Sequence, residues 1–307
     1  MTSRLGAVVA ALVLFGAAPL PEWQSPLGRD QPLVGTIWDV GASAAITPET
    51  LVTRLAARRY VLLGEKHDNP DHHRLQEWTL RELVAAGRRP AVAFEMFRAD
   101  QADAIARHLT ASPGDAHGLG DALDWRRSGW PAWSMYEPIV EVALHARLPL
   151  IAANLPQAVT STLRRGGVAA LDAAMIARLR LDRPLPDEVR QRLATEIREG
   201  HCGQLPERAL DAFIVVQRAR DAHLAAAMRE AGGDGAVLIA GAGHARRDIG
   251  VPRVLPESET ASVAFLEVWP AMTAPPAAPF DYVWLTPRVD DRDPCERFRR
   301  DLERITR

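Results

Sequence analysis

Six short apolar runs punctuate the chain, at 60–64 (YVLLG), 91–97 (AVAFEMF), 148–153 (LPLIAA), 236–241 (AVLIAG), 262–269 (SVAFLEVW) and 281–285 (DYVWL). Each is about as long as a strand and nearly unbroken in its apolar character, the pattern of strands covered on both faces. Between them, the stretches near 71–86, 137–146, 168–179, 186–198 and 206–230 space apolar residues by three and four, as an amphipathic helix does. Strands that alternate with helices need crossover connections. The fold class read from the sequence is therefore α/β, a largely parallel central sheet with helices on both faces. Residues 156–205 carry helical patterns without a convincing strand and read as a helical insertion packed beside that sheet.

A chain of 307 residues, 47% hydrophobic, can bury a sizeable core. The expected domain runs over 30–290, followed by a charged terminal helix over 291–307. Ahead of it, Arg4 precedes sixteen uncharged residues at 5–20, which reads as a secretory signal or, left uncleaved, an N-terminal anchor. This predicts an exported, periplasmic protein, with membrane association where the segment 1–20 stays attached. Lys plus Arg at 37 against Asp plus Glu at 39 leaves a net charge of -2 with no long block of either sign, which argues against nucleic acid as the main partner. Cys202 and Cys295 either close one long loop as a disulfide or stay as separate thiols.

Two of the strands end in the same way. YVLL runs into Gly64, Glu65, Lys66 and His67, and AVLIA runs into Gly241, Ala242, Gly243 and His244. Ligands of parallel sheets bind at the carboxyl ends of strands, where both of these GxxH turns fall. If the two strands are neighbours, His67 and His244 face one cleft, with Gly64, Gly241 and Gly243 letting the chain turn and approach a bound group closely. Glu95 is a third candidate, because a carboxylate inside AVAFEMF needs a partner: a bound ion, a reacting group, or a structural arginine such as Arg98. His73 and Gln76 share one face of the helix that follows the first turn, placed to orient His67 or simply to form a polar first turn. Gln217 and Asp221 interrupt the apolar stripe of the 206–230 helix, and Asn154 closes another strand.

The segment 125–136 (WRRSGWPAWSMY) sets four aromatics in a Gly- and Pro-containing loop. Two readings fit: Trp133 stacks on a flat ligand, Arg126 and Arg127 meet its carboxylates and the Tyr136 oxygen binds ferric iron, or the tryptophans only pin the loop to the sheet.

Taken together, GEKHDNPDHHRLQ, AVAFEMF, MYEPIVEVA, IAANLP, VVQRARDAHLA and IAGAGHARRDIGVP resemble the ChaN-like family of haem-binding uptake proteins in the Tiki superfamily. The resemblance runs over about 35–290 and implies a fold related to erythromycin esterases, with paired GxxH motifs and a glutamate at the site. It implies haem or an iron chelate as ligand, with tyrosine as iron ligand, a role that falls on Tyr136. Many members are lipoproteins, whereas no cysteine lies near residues 5–20 here. Two functions follow. One is an exported haem- or iron-binding protein for uptake or transfer, with a homodimer as an expected assembly. The other, like the animal Tiki proteins, is a hydrolase dependent on a divalent metal ion held by His67, His244 and Glu65 or Glu95, with the remaining carboxylate as general base.

Overall fold

The computed structural model describes residues 19–293 and 295–296. The expected terminal segments at 1–20 and 291–307 lie almost wholly outside them. In chain order the strands are β1 (Ile37–Asp39), β2 (Ala44–Ile46), β3 (Tyr60–Glu65), β4 (Ala91–Arg98), β5 (Leu150–Asn154), β6 (Ala236–Gly241), β7 (Thr260–Glu267) and β8 (Tyr282–Thr286). They form one sheet in the order β2-β1-β8-β7-β3-β6-β4-β5. The pairings from β8 through β5 are parallel, and only β1 with β2 and with β8 are antiparallel. All six expected strands are present. The hairpin of β1 and β2 was not anticipated, because three-residue strands are too short to show a period.

The helices are α1 (Pro48–Ala56), α2 (Pro70–Ala85), α3 (Ala102–Ala111), α4 (Ala116–Ala122), α5 (Trp133–His145), α6 (Gln157–Gly166), α7 (Ala173–Leu179), α8 (Asp187–Gly200), α9 (Glu207–Glu230) and the single turn α10 (Ala242–Ala245). One face of the sheet, with Val61, Leu63, Phe94 and Ile239, packs on α1, α2 and α5 through Leu55, Leu75, Trp78 and Ile139. The other face, with Leu62, Ala93 and Leu238, packs on α9 and the turn after α10 through Leu224, Met228 and Val251. Residues 156–205 contain helices and no strand, and α6, α7 and α8 pack on α9 rather than on the sheet. The tryptophan segment is a loop only in its first part, since α5 begins at Trp133 and carries Tyr136 into the core.

Local chemistry fixes the first GxxH turn. The Asn69 side chain caps α2 by accepting from Asp71 N at 2.9 Å, and Pro70 occupies the first helical position. The same amide donates to Glu267 Oε1 at 2.9 Å, which ties the turn to the end of β7. Cys202 and Cys295 form a disulfide across 93 residues, fastening the chain after α8 to the C-terminal segment. Removing a crosslink that closes so long a loop costs about 2–4 kcal/mol. Calorimetry on the Cys202→Ser, Cys295→Ser double variant should therefore show a lower Tm than the oxidised protein and one insensitive to reductant. Equal melting of the two would show that the bond does not constrain the fold.

Candidate functional site

The chain leaves β3 past β6 to β4 and leaves β6 past β3 to β7, with α2 on one face of the sheet and the turn after α10 on the other. Ligands of parallel sheets bind at the carboxyl ends of the strands, where both turns lie. The register pairs Gly64 with Ala240 and Glu65 with Gly241, setting the two GxxH turns side by side. Both first glycines are required by this closeness. A Cβ on Gly64 would stand 2.9 Å from Ala242 Cα and 2.9 Å from Ala245 Cβ, and one on Gly241 would stand 2.9 Å from His67 Nε2 and 3.6 Å from Glu95 Oε2. Gly243 has open space where its side chain would be, so no protein contact requires it to be glycine.

Glu65 and Glu95 are buried, and each is surrounded by proton donors. Glu65 Oε1 lies 2.8 Å from His67 Nδ1 and accepts from the Tyr136 hydroxyl at 3.1 Å. Its Oε2 lies 3.0 Å from His73 Nδ1, a contact off the ideal hydrogen-bond direction, so charge rather than alignment carries it. His73 Nε2 lies 2.9 Å from the His67 carbonyl, which fixes the turn from behind. Glu95 Oε2 accepts from Gly241 N at 2.8 Å, and Oε1 lies 3.1 Å from His244 Nε2. On its other side, His244 Nδ1 meets Asp221 Oδ1 at 2.5 Å and the amide of Gln217 at 3.2 Å.

These contacts set the charge states. Burial disfavours an ionised Glu65, but the charges and hydrogen bonds of His73 and His67 prevail and bring its pKa from 4.5 to about 2. Burial likewise opposes charge on Glu95, and His244 above all holds it well below the usual carboxylate range. Burial works against a charged His244 too. The carboxylates of Glu95 and Asp221 outweigh it and raise its pKa from 6.5 to about 10. His67 and His73 are also raised against the effect of burial, by Glu65 in both cases. Asp221 moves up, since its burial exceeds the attraction of His244. His72 is driven down by burial, and it stays neutral so that its Nδ1 accepts from Lys66 N at 2.8 Å.

The structure thus brings together Glu65, His67, His73 and Tyr136 as one bonded group and, beside it, Glu95, Gln217, Asp221 and His244 as another, but three expectations need correction. Glu95 does not pair with Arg98, whose guanidinium turns to Asp100 at 3.2 Å. Asn154 does not line the cleft, because its Nδ2 donates to the Glu95 carbonyl at 2.7 Å and its Oδ1 accepts from Leu155 N at 2.8 Å. Tyr136 is 0% exposed, and burial together with Glu65 raises its hydroxyl pKa far above the ordinary 10.0. A phenolate iron ligand needs an open face and an easily lost proton, and Tyr136 has neither. The expected divalent metal on His67, His244, Glu65 and Glu95 finds no support. Among the described residues no group of three or more His, Cys, Asp or Glu side chains is arranged to hold an ion. Both His244 nitrogens face carboxylates, and every carboxylate oxygen of Glu65 and Glu95 already meets a donor.

Of the aromatic segment, Arg126 and Arg127 are exposed, and Trp133 donates from Nε1 to the Ala116 carbonyl at 3.2 Å. Trp125, Trp130, Trp133 and Arg126 line a pocket of about 440 Å³. Trp130 also sets its ring edge-on to His67 with centroids 4.9 Å apart, a contact the sequence did not single out. Glu267 was missed as well, although it carries the signal that exposed Glu95, a carboxylate inside an apolar strand.

The charge states predict a stability window. A raised His244 pKa contributes stability that is complete below 6.5 and lost as pH climbs through about 10. The lowered Glu65 pKa contributes stability that is complete above 4.5 and lost as pH falls through about 2, and Glu95 acts in the same direction. His72 reinforces the acid side, because a folded pKa below 6.5 makes its protonation destabilising. Thermal unfolding of Glu95→Gln should begin lower, by about 3–5 kcal/mol as expected for breaking a buried pair, and should decline less steeply than wild type above pH 6.5. An unchanged alkaline slope would mean that His244 is not held charged by Glu95.

The family model described as haem-binding uptake, Tiki superfamily, ChaN matches residues 51–255. Among solved structures, ChaN of Campylobacter jejuni is similar over 84% of this chain and 98% of that one, with a TM-score of 0.65 and 22% identity. The erythromycin esterase EreC aligns at a TM-score of 0.45 and 13% identity, over 81% of each chain. No curated protein matches the sequence. A family match across most of the chain, on an α/β fold carrying the paired GxxH turns, makes this protein a member of the haem-binding uptake (ChaN) family of the Tiki superfamily.

Proposed function

We propose that this protein binds haem, or a closely related iron chelate, at the pocket lined by the tryptophan segment, where Trp130 stands against His67, for uptake or transfer outside the cytoplasm. Family membership supports haem as the ligand class, and the similar Campylobacter jejuni ChaN is described as binding haem cofacially. The observation that carries the reading for this chain is one of access. Of the imidazoles in the cluster, His73 and His244 have side chains only 1% and 7% exposed, whereas His67 is 35% exposed and stands beside Trp130.

The residues fit a flat, anionic, iron-bearing ligand in three respects. Trp130, with Trp125 and Trp133, provides aromatic surface for stacking. Arg126 lines the same pocket, with its guanidinium available to a carboxylate. The His67 Nδ1 is held by Glu65, the arrangement that orients an imidazole and strengthens its other nitrogen as a ligand. All three tyrosines, Tyr60, Tyr136 and Tyr282, are buried, so His67 takes the role that the family resemblance assigned to Tyr136. Bound haem would supply iron with an open coordination position; the chain supplies the stacking surface, the carboxylate partner and an oriented imidazole. Export through the 5–20 segment, with membrane association where it is retained, belongs to the same proposal. Among the described residues no helix is long and apolar enough to cross a membrane.

Titration of the purified protein with haem should give a saturable Soret shift. His67→Ala should weaken binding by about tenfold or more, the scale of losing an oriented ligand, whereas Tyr136→Phe should retain the shift. A lost signal in Tyr136→Phe with an intact one in His67→Ala would reverse the assignment, and a wild-type protein that leaves the haem spectrum unchanged would remove the function.

A further inference from the structure

A second pocket, of about 550 Å³, opens on the far side of α9 from the tryptophan segment. Its walls are α9 itself, the chain between α7 and α8, and the segment after α10 that precedes β7. Five arginines converge there: Arg180, Arg183, Arg218, Arg229 and Arg253. None of the five is within ion-pair distance of a carboxylate among the described residues, although ion pairs abound elsewhere on α7, α8 and α9. Asp221 reaches the same pocket, but its carboxylate is engaged by His244 at 2.5 Å.

The guanidiniums are held by backbone instead. Arg218 Nη2 donates to the Arg180 carbonyl at 3.0 Å and also to that of Arg183, and Arg229 Nη1 donates to the Val254 carbonyl at 2.7 Å. Burial lowers the pKa of Arg218, as does neighbouring Arg253, against the attraction of Asp182, and burial with Arg180 lowers that of Arg229. Like charges crowded around a cavity, with Asp182 and Glu230 nearby but no carboxylate in ion-pair contact with them, are an unfavourable arrangement that a multivalent anion relieves. The rest of the lining is apolar, from Leu179, Leu185, Leu193, Ile249 and Leu255. Arg218 and Arg229 are also eleven residues apart on one helix, which separates their anchor points by about 16 Å.

We propose that this pocket binds an amphipathic organic anion with at least two separated acidic groups, at a site distinct from the GxxH cluster but adjoining it through Asp221. The spread of the guanidiniums selects for acidic groups at both ends, and the apolar lining selects for a body between them. The volume is that of a drug-sized ligand rather than a bare inorganic ion. The helical insertion thereby gains a purpose, since the chain from Arg180 to Pro186 forms one wall.

Isothermal titration calorimetry on the full chain tests this with a rigid naphthalene dicarboxylate and with hexadecanedioate as probes and pyrophosphate as the comparison. At least one of the organic dianions should bind saturably, more tightly than pyrophosphate, and more weakly as salt is added. The double variant Arg183→Glu, Arg253→Glu changes two exposed side chains that make no hydrogen bond in the fold. It should weaken the organic dianion by at least about tenfold, the loss of one or more charge-assisted contacts, and should leave the haem titration unchanged. Equal affinity in the variant, or no saturable binding of either organic probe, would overturn the site. Pyrophosphate binding as tightly as the organic dianions would overturn the amphipathic ligand class.

Discussion

Two carboxylates inside the protein, Glu65 and Glu95, are the constraint on which the site depends. An unpaired buried carboxylate costs several kcal/mol, so each must be surrounded by donors or lose its charge. Here the fold supplies donors on every side. Glu65 collects His67, His73 and the Tyr136 hydroxyl, while Glu95 collects His244 and the Gly241 amide. The outcome is two adjoining groups of acids and imidazoles, one reaching Tyr136 in α5 and the other Asp221 in α9, on opposite faces of the sheet. Because removal of any member leaves a buried charge unpartnered, the cluster fixes the geometry of the cleft as well as its charge.

The sheet makes this convergence possible. Adjacent parallel strands with Glu65 opposite Gly241 set the two GxxH turns at the ends of β3 and β6 one residue out of step, so they become neighbours although far apart in sequence. Glycine at the first position of each turn is what lets the turns close together, with Gly64 admitting α10 and Gly241 admitting the His67 ring. His67 is thereby left at the rim, between the buried acids and the tryptophan-lined pocket, as the member of the cluster with both an anchored and an accessible side.

Much of this was legible in the sequence where the signal is local. Unbroken apolar runs marked six of the strands, the repeated GxxH marked both turns, and a carboxylate among apolar residues marked Glu95. Gln217 and Asp221 could be read as polar breaks in a helical stripe, and both sit against His244. What failed was whatever depends on which side of a residue another element covers. Tyr136 looked available beside an aromatic loop, yet α5 begins earlier than its periodicity suggested and turns that ring against His73, with centroids 4.4 Å apart. Asn154 looked like a cleft residue at a strand end, but the neighbouring strand offers it a carbonyl. For the metal set, residue types alone do not reveal that each ring nitrogen of His244 faces a carboxylate. The arginine-lined pocket was invisible because its members come from three separate segments and no pair of them is near in sequence spacing to a known motif.

The protonation of His244 carries the account, because a charged imidazole between Glu95 and Asp221 is what lets two buried acids share one partner. Nitrogen-15 NMR of the histidine rings in the full chain, followed over pH, reads this state directly. Protons on both ring nitrogens of His244 well above neutrality, with titration only toward about 10, is the predicted result. A His244 ring that loses its proton near the ordinary value of 6.5 would contradict it.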